Sequence, residues 1–283
     1  MEEFKPRDLL VGIEDIEVLK ALPTQYLHQK VILGIDIYRY SQYPLAEQTY
    51  IPVVFNELYK ATVKDLIKGE PFIFKEYGLK EIDFEKRFIS AGDGGFQILN
   101  NPLEAVIFAL YFQMNVKLFL SGSSMIDHSK LLQRLIDSID LRYSITSDLT
   151  YFYNSNYFGP GIINNARILS KDNLNRLLLD SNTIKWFTKN INSVENLLVM
   201  NKKSFVSTDF FKSYDENLTS LLFNSNNSFK SVDVLAIGSI MVKNTPLEIY
   251  NLHIQSIISF KSQNNIYKEF VVTLGNLNTA GIE

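Results

Sequence analysis

The sequence contains no cysteine and has no excess of basic residues. The absence of cysteine excludes disulfides, thiolate zinc sites and cysteine nucleophiles, and it fits a protein of the reducing cytosol. Lysine and arginine together number 28 against 31 acidic residues, which gives a net charge of −3. This balance disfavours sequence-independent binding to nucleic acid, so we expect small-molecule ligands.

Long apolar runs are also absent. One of the longest, residues 106–112, has 7 residues, whereas a membrane-spanning helix needs roughly 20. The first six residues carry acidic side chains where a secretory signal would have a basic region. Hydrophobic residues make up 46% of the 283-residue chain, enough for a globular protein with a sizeable core. We therefore predict a cytoplasmic protein without a membrane span.

Strand and helix patterns divide the chain into three parts. Residues 1–29 read as a polar lead-in, residues 30–255 as the main domain, and residues 256–283 as a C-terminal tail. An Asn- and Ser-rich stretch near residues 190–227 resembles an insertion into the main domain. The main domain begins with a strand, a helix, two strands and a helix, an order that predicts an α+β fold with a mostly antiparallel sheet flanked by helices.

Two aspartates carry the chemical signal. Asp36 lies in the apolar run 31–37, where a carboxylate is costly unless something specific neutralises it. Asp93 lies in the turn Ala-Gly-Asp-Gly-Gly of residues 91–95, where the glycines permit close approach of backbone or ligand. Carboxylates of this kind are suitable ligands for Mg²⁺ or Mn²⁺, so the pair predicts a metal-dependent phosphoryl-transfer site.

Five segments in this order resemble motifs of the class III nucleotide cyclase family. They are two metal motifs at residues 36–41 and 90–94, the strand before the catalytic hairpin at 141–145, the arginine helix at 159–169 and the closing hairpin at 240–250. The forms Gly-Asp-Gly-Gly-Phe-Gln at 92–97 and Ile-Ile-Asn-Asn-Ala-Arg-Ile-Leu-Ser at 162–170 are most similar to the bacterial pyrimidine cyclases of Pycsar anti-phage systems. Those enzymes make cyclic UMP or cyclic CMP.

The resemblance implies a ferredoxin-like, palm-type cyclase catalytic fold and a role for each matched residue. Asp36 and Asp93 would hold two Mn²⁺ or Mg²⁺ ions, and the carbonyl of Ile37 would complete the shell of the second ion. Arg167 would stabilise the charge of the transition state, and Lys243 would neutralise the β- and γ-phosphates. The family also implies a homodimer in which the arginine and the aspartates of one site come from different subunits.

Several positions depart from the family pattern. Ile163 stands four residues before Arg167, where cyclases usually have an asparagine, and Asn164 is the nearest substitute for the catalytic role. Arg39 replaces a glycine of the first metal motif, and Ser144 replaces a glycine of the strand motif. These changes argue against an ordinary adenylate or guanylate cyclase.

Two further residues are candidates for substrate binding. Asn156 falls where adenylate cyclases place an aspartate, and its amide can donate and accept, so it suits uracil or cytosine. Tyr40 is a candidate for the base or ribose pocket. These positions fit either pyrimidine, and we expect UTP in preference to CTP. The family resemblance further implies a cyclic nucleotide messenger that a separate effector protein would sense during antiviral defence.

Three alternatives stay open on the sequence. One is a cyclase for ATP or GTP, and another is a different palm-like phosphoryl transferase with the same sheet. The third is a degenerate cyclase domain that binds nucleotide without turnover, a possibility raised by Ile163 and Arg39.

Overall fold

The structure is a computed structural model. It describes residues 26–77, 81–122, 132–136, 138–224, 228–242, 244–261 and 267–282. Lys243, the predicted phosphate-binding lysine, lies outside the described residues.

The described strands form one nine-stranded sheet. The strands are β1 (His28–Ile37), β2 (Phe88–Ser90), β3 (Gly94–Leu99), β4 (Leu141–Tyr153), β5 (Asn156–Phe158), β6 (Leu177–Asp180), β7 (Phe229–Val242), β8 (Thr245–Lys261) and β9 (Tyr267–Leu274). The helices are α1 (Leu45–Gly69), α2 (Pro71–Phe74), α3 (Glu81–Glu85), α4 (Pro102–Leu120), α5 (Pro160–Lys171), α6 (Ser181–Ile191) and α7 (Lys202–Val206). Short 3₁₀ turns cover Tyr40–Gln42, Lys75–Tyr77 and Val194–Leu198.

The strand order is β2-β3-β1-β4-β6-β8-β7, with β5 paired to β4 and β9 paired to β8. The β4 and β6 strands run parallel, and the other pairs are antiparallel. The α+β prediction with a mostly antiparallel sheet flanked by helices is therefore confirmed. The last strand, β9, extends this same sheet.

The two faces of β1 meet different layers, because successive side chains of a strand point to opposite sides. Val31, Leu33 and Ile35 face the large apolar core that also contains α1 and α4. Gly34 faces α5, where a side chain would collide with Asn165. Asp36 has the same parity as Gly34, so its carboxylate lies on the α5 side of the sheet.

Helix α4 is apolar on almost every side. Within the described residues it is long and apolar enough to span a membrane, but 83% of its most apolar window is buried inside the molecule. Its N-terminus is capped by Asn101, whose side chain accepts a hydrogen bond from the backbone N–H of Glu104. This helix forms the centre of the core.

The stretch after α6 packs against the domain through aromatic rings. Trp186 contacts Phe210 edge to face at 5.1 Å, and Phe205 contacts Phe211 at 4.9 Å. Phe205 also contacts Phe72 of α2, at 6.4 Å between ring centroids. Such contacts bury large apolar surfaces, so this stretch is an integral part of the core around α2.

Candidate active site

Asp36 forms an ion pair within the sheet. It is paired with Arg142 of the neighbouring strand β4 in the antiparallel register, which places the two side chains on the same face. The Nε of Arg142 donates to Oδ2 of Asp36 at 2.5 Å. Both side chains keep about a fifth of their surface exposed, 21% for Asp36 and 22% for Arg142. The carboxylate that seemed costly in a buried strand is thus neutralised and remains accessible from solvent.

Asp93 is brought beside Asp36 by the β2–β3 turn. Gly94 pairs with Asp36 across the sheet, and the backbone N–H of Ile37 donates to the carbonyl of Asp93 at 3.3 Å. A Cβ on Gly94 would lie 2.3 Å from the carbonyl oxygen of Ile35, so this close approach requires glycine. Burial raises the pKa of Asp93, and the charge of Asp36 raises it further. The two carboxylates are therefore close enough to interact.

This arrangement fits a divalent cation. Two carboxylates that repel each other are stabilised by a shared cation, and hard oxygen ligands are those that Mg²⁺ and Mn²⁺ prefer. Among the described residues there is no group of three or more histidine, cysteine or acidic side chains that would form a complete protein cage. Further ligands would have to come from backbone carbonyls, such as that of Ile37, from water or from substrate phosphates.

Arg167 is a half-buried residue on the side of α5 opposite Asn165. On α5, Asn165 points into the sheet with no exposed surface. Arg167 follows two residues later, about 200° around a helix of 3.6 residues per turn. Its side chain therefore projects from the outer surface of α5. Within the described part of the chain, its guanidinium has no hydrogen-bond or ion-pair partner; the carbonyl accepts a bond from Ser170.

Asn164 is held by a contact within the chain. Its amide donates to Oδ2 of Asp148 at 3.0 Å, and the residue is 8% exposed. Ile163, at the position where the cyclase pattern has asparagine, is 51% exposed on the outer surface of the helix. The structure thus places Ile163 on the same side of α5 as Arg167, and turns Asn164 toward β4.

The two predicted substrate-binding residues that the structure describes, Tyr40 and Asn156, have local partners. The hydroxyl of Tyr40 donates to the carbonyl of Gln48 at 2.6 Å, while its ring packs against the main core. Asn156 opens β5 at an exposed position, and its side-chain oxygen accepts a hydrogen bond from the backbone N–H of Tyr157 at 2.8 Å. The amide nitrogen of Asn156 is not used in that bond, so a donor is left for a ligand.

Arg39 and Ser144, which stand where the cyclase pattern has glycine, lie in different environments. Arg39 adopts a left-handed backbone conformation, with φ of 57°, which glycine adopts at lower cost. Its guanidinium lies 4.8 Å from the centroid of the Tyr38 ring. Ser144 is buried, and its hydroxyl donates to the side-chain oxygen of Asn165 at 2.5 Å.

Two residues of the site had no assigned role in the sequence interpretation. Arg142 and Asn165 both lie inside segments that resemble the cyclase motifs. Asn165 donates to the carbonyls of Ile32 and Ser144, at 2.8 and 3.1 Å, and so fixes α5 to the sheet. The signal for Arg142 is its position opposite Asp36, which appears only when β1 and β4 are paired.

The sequence matches no family model and no curated protein. Solved structures with a similar fold include an adenylate/guanylate cyclase/hydrolase from Silicibacter pomeroyi, at 15% identity and a TM-score of 0.45, covering 80% of this chain and 96% of that one. The catalytic core of a rhodopsin-guanylyl cyclase with converted specificity is similar at 11% identity and a TM-score of 0.43, covering 81% and 97%. An adenylyl cyclase from P. aeruginosa is similar at 13% identity and a TM-score of 0.39, covering 85% and 98%. Identities this low show a similar fold and do not show a shared activity. We therefore infer the function from the residues of the site.

Proposed function

We propose that this protein is a nucleotide cyclase that converts a nucleoside triphosphate to its 3′,5′-cyclic monophosphate and pyrophosphate. The observation that supports the proposal is the close approach of Asp36 and Asp93, which Gly94 makes possible. We propose a pyrimidine nucleotide as the substrate, because residues 92–97 and 162–170 resemble pyrimidine cyclases, and we propose UTP in preference to CTP. The product would then be a messenger for antiviral defence that a separate effector protein senses in the cytoplasm.

Each predicted site residue would have its own role in the reaction. Asp36 and Asp93 would hold Mn²⁺ or Mg²⁺, and the cations would supply activation of the ribose hydroxyl and neutralisation of the phosphates. Arg167 would donate hydrogen bonds to the α-phosphoryl oxygens as negative charge develops there. Lys243 would bind the β- and γ-phosphates of the leaving group. Asn156 and Tyr40 would contact the base and ribose, and Asn164 would take part in catalysis after release from Asp148.

A homodimer would bring the two halves of the site together. The aspartates lie on the sheet, whereas Arg167 projects from the outer surface of α5, away from its own sheet. A second copy placed against α5 would receive this arginine at its own Asp36 and Asp93. A two-fold dimer would then contain two such sites, each built from both subunits.

The substrate is tested by incubating the protein with Mn²⁺ and each of the four ribonucleoside triphosphates, followed by mass identification of the products. We expect cyclic UMP from UTP, and cyclic CMP from CTP would still support a pyrimidine cyclase. A cyclic purine product would keep the reaction and contradict the pyrimidine assignment. No product from any nucleotide, with a folded dimer, would contradict the proposed activity.

The shared site is tested by mixing two inactive variants, Arg167→Ala and Asp93→Asn, after unfolding and refolding together. If sites combine residues from two subunits, half of the dimers would be mixed and would each contain one intact site, so activity would return to roughly a quarter of wild type. Each variant refolded alone serves as the control. Failure of the mixture to recover activity, with mixed dimers present, would contradict shared sites.

A second candidate function is a nucleotide-binding module without turnover. It is favoured by Ile163, which presents an apolar side chain on the outer surface of α5, while Asn164 is bound to Asp148. Such a module would bind a triphosphate with Mn²⁺ and release no pyrophosphate. The mass identification of products also distinguishes a cyclase for ATP or GTP, or another phosphoryl transferase, from the pyrimidine cyclase and from the binding module.

A further inference from the structure

Arg142 is held at both ends of its guanidinium group. Its Nε donates to Oδ2 of Asp36 at 2.5 Å, and its Nη1 donates to the backbone carbonyl of Asp172 at 2.7 Å. The first contact uses one oxygen of the carboxylate that would hold a cation. A guanidinium and a divalent cation bound to one carboxylate repel each other, so the two compete for Asp36.

The backbone carbonyl of Asp172, the acceptor in the second contact, is held in place by buried interactions. Asp172 pairs with Arg176, with 2.8 Å between Oδ1 and Nη2 and both side chains almost fully buried. Arg176 in turn donates from Nη1 to the carbonyl of Ala280 at 2.6 Å. The carbonyl of Asp172 therefore belongs to a fixed part of the fold, and it stays in place when the Arg142–Asp36 bond breaks.

We propose that Arg142 is an exchangeable counter-ion of the candidate metal site. In the metal-free protein it neutralises Asp36, and an arriving Mg²⁺ or Mn²⁺ displaces it from Oδ2 while the bond to the Asp172 carbonyl retains the guanidinium beside the site. This inference rests on the proposed function, because it requires cation binding at Asp36. Arg142 is then a positioning residue that sets how tightly the empty site accepts a cation.

The exchange lowers the apparent affinity for the first cation, since the ion pair must be broken before the carboxylate is free. Removal of the guanidinium should therefore strengthen binding in the absence of nucleotide. About four-fifths of the surface of each side chain in this ion pair is buried. Loss of a charge-assisted hydrogen bond of this kind typically changes an equilibrium constant, here that for cation binding, by about tenfold.

The test measures free Mn²⁺ by electron paramagnetic resonance during titration of the nucleotide-free protein. We expect Arg142→Gln to bind Mn²⁺ about tenfold more tightly than wild type, and Arg134→Gln, at an exposed position on the surface, to bind as wild type. Equal or weaker binding by a folded Arg142→Gln protein would overturn the proposal. If Asp36→Asn binds Mn²⁺ as tightly as wild type, the metal site of the proposed function is itself wrong.

A second measurement follows the arginine directly in the wild-type protein and uses the Arg142→Gln variant only to assign the signal. The Nε–H signal of Arg142 in a nitrogen-15 NMR spectrum, assigned by its absence from Arg142→Gln, is recorded while Mg²⁺ is added to wild-type protein. We expect this signal to shift or broaden, with saturation at the same Mg²⁺ concentration that saturates binding. A signal that is unchanged at full Mg²⁺ occupancy would overturn the exchange.

Discussion

The hydroxyl of Tyr40 donates to the backbone carbonyl of Gln48, at 2.6 Å. In a regular helix this carbonyl would accept from the residue four positions later, but that residue is Pro52, which has no N–H. Tyr40 therefore supplies the donor that Pro52 lacks, and it ties the loop after β1 to the first turn of α1. Helix α1 passes through Pro52 without interruption, from Leu45 to Gly69.

Replacement of Tyr40 by phenylalanine separates the two roles of this residue. We expect Tyr40→Phe to lower the free energy of unfolding by ~1 kcal/mol, because one hydrogen bond is lost. Nucleotide affinity should stay at the wild-type value, since the ring that is available to a base or ribose remains. Urea unfolding and nucleotide titration measure the two effects. Weakened nucleotide binding with unchanged stability would show that the hydroxyl contacts the substrate instead of Gln48.

Arg39 adopts a left-handed conformation that costs a non-glycine residue about 1 kcal/mol. We expect Arg39→Gly to be more stable than Arg39→Ala by about this amount, because both lose the contact with the Tyr38 ring and only glycine relieves the strain. Thermal and urea unfolding of the two variants provide the comparison. Equal stability of the two variants would show that the loop relaxes when the guanidinium is removed.

Asn165 joins α5 to the sheet through four hydrogen bonds, to Ile32, twice to Ser144 and to Thr146. Its replacement by alanine leaves the buried partners unsatisfied, so we expect Asn165→Ala to lose roughly 3 kcal/mol of stability. Asn164→Ala is the matched control and should lose only about 1 kcal/mol, because Asn164 makes a single bond to Asp148. Equal losses in urea unfolding would contradict the assigned anchoring role.

Two fully buried carboxyl groups make the stability depend on pH. Burial raises the pKa of Glu70 and of Glu104 to about 7, from 4.5. The folded state therefore holds these protons more tightly than the unfolded state, and their contribution to stability is complete below about pH 4.5 and lost as the pH rises through 7.

We accordingly expect the Tm to fall by roughly 3 °C or more between about pH 6 and pH 8. Glu70 accepts bonds from Tyr111 and from the backbone of Leu221 and Leu222. These bonds favour the charged form, but the cost of burying the charge outweighs them, so loss of the proton at higher pH destabilises the folded state. Glu70→Gln, which stays neutral, should show a smaller fall in differential scanning fluorimetry. A Tm that rises over this interval would contradict the raised pKa values.

Local sequence patterns predicted Asp36 and Asp93 as candidate metal ligands, but they did not predict the ion-pair partner Arg142. The strand end at Asp36 and the glycine turn at Asp93 are encoded within a few residues each. The ion pair of Asp36 with Arg142 joins residues 106 positions apart, so it appears only after β1 and β4 are aligned. The Asn- and Ser-rich stretch likewise gave no strong periodicity, because its described part, residues 190–224, packs through ring contacts such as Phe72 with Phe205 across the fold.

The proposed reaction is tested most directly by Mn²⁺-dependent pyrophosphate release from UTP, compared between wild type, Asp93→Asn and Asp209→Asn. Asp209 is fully exposed on the surface, so its replacement controls for the loss of one acidic side chain. The account predicts release by wild type and Asp209→Asn, and at least a hundredfold loss in a folded Asp93→Asn protein, of the order expected when one charge-stabilising group is removed. Wild-type release that persists in Asp93→Asn would contradict the account.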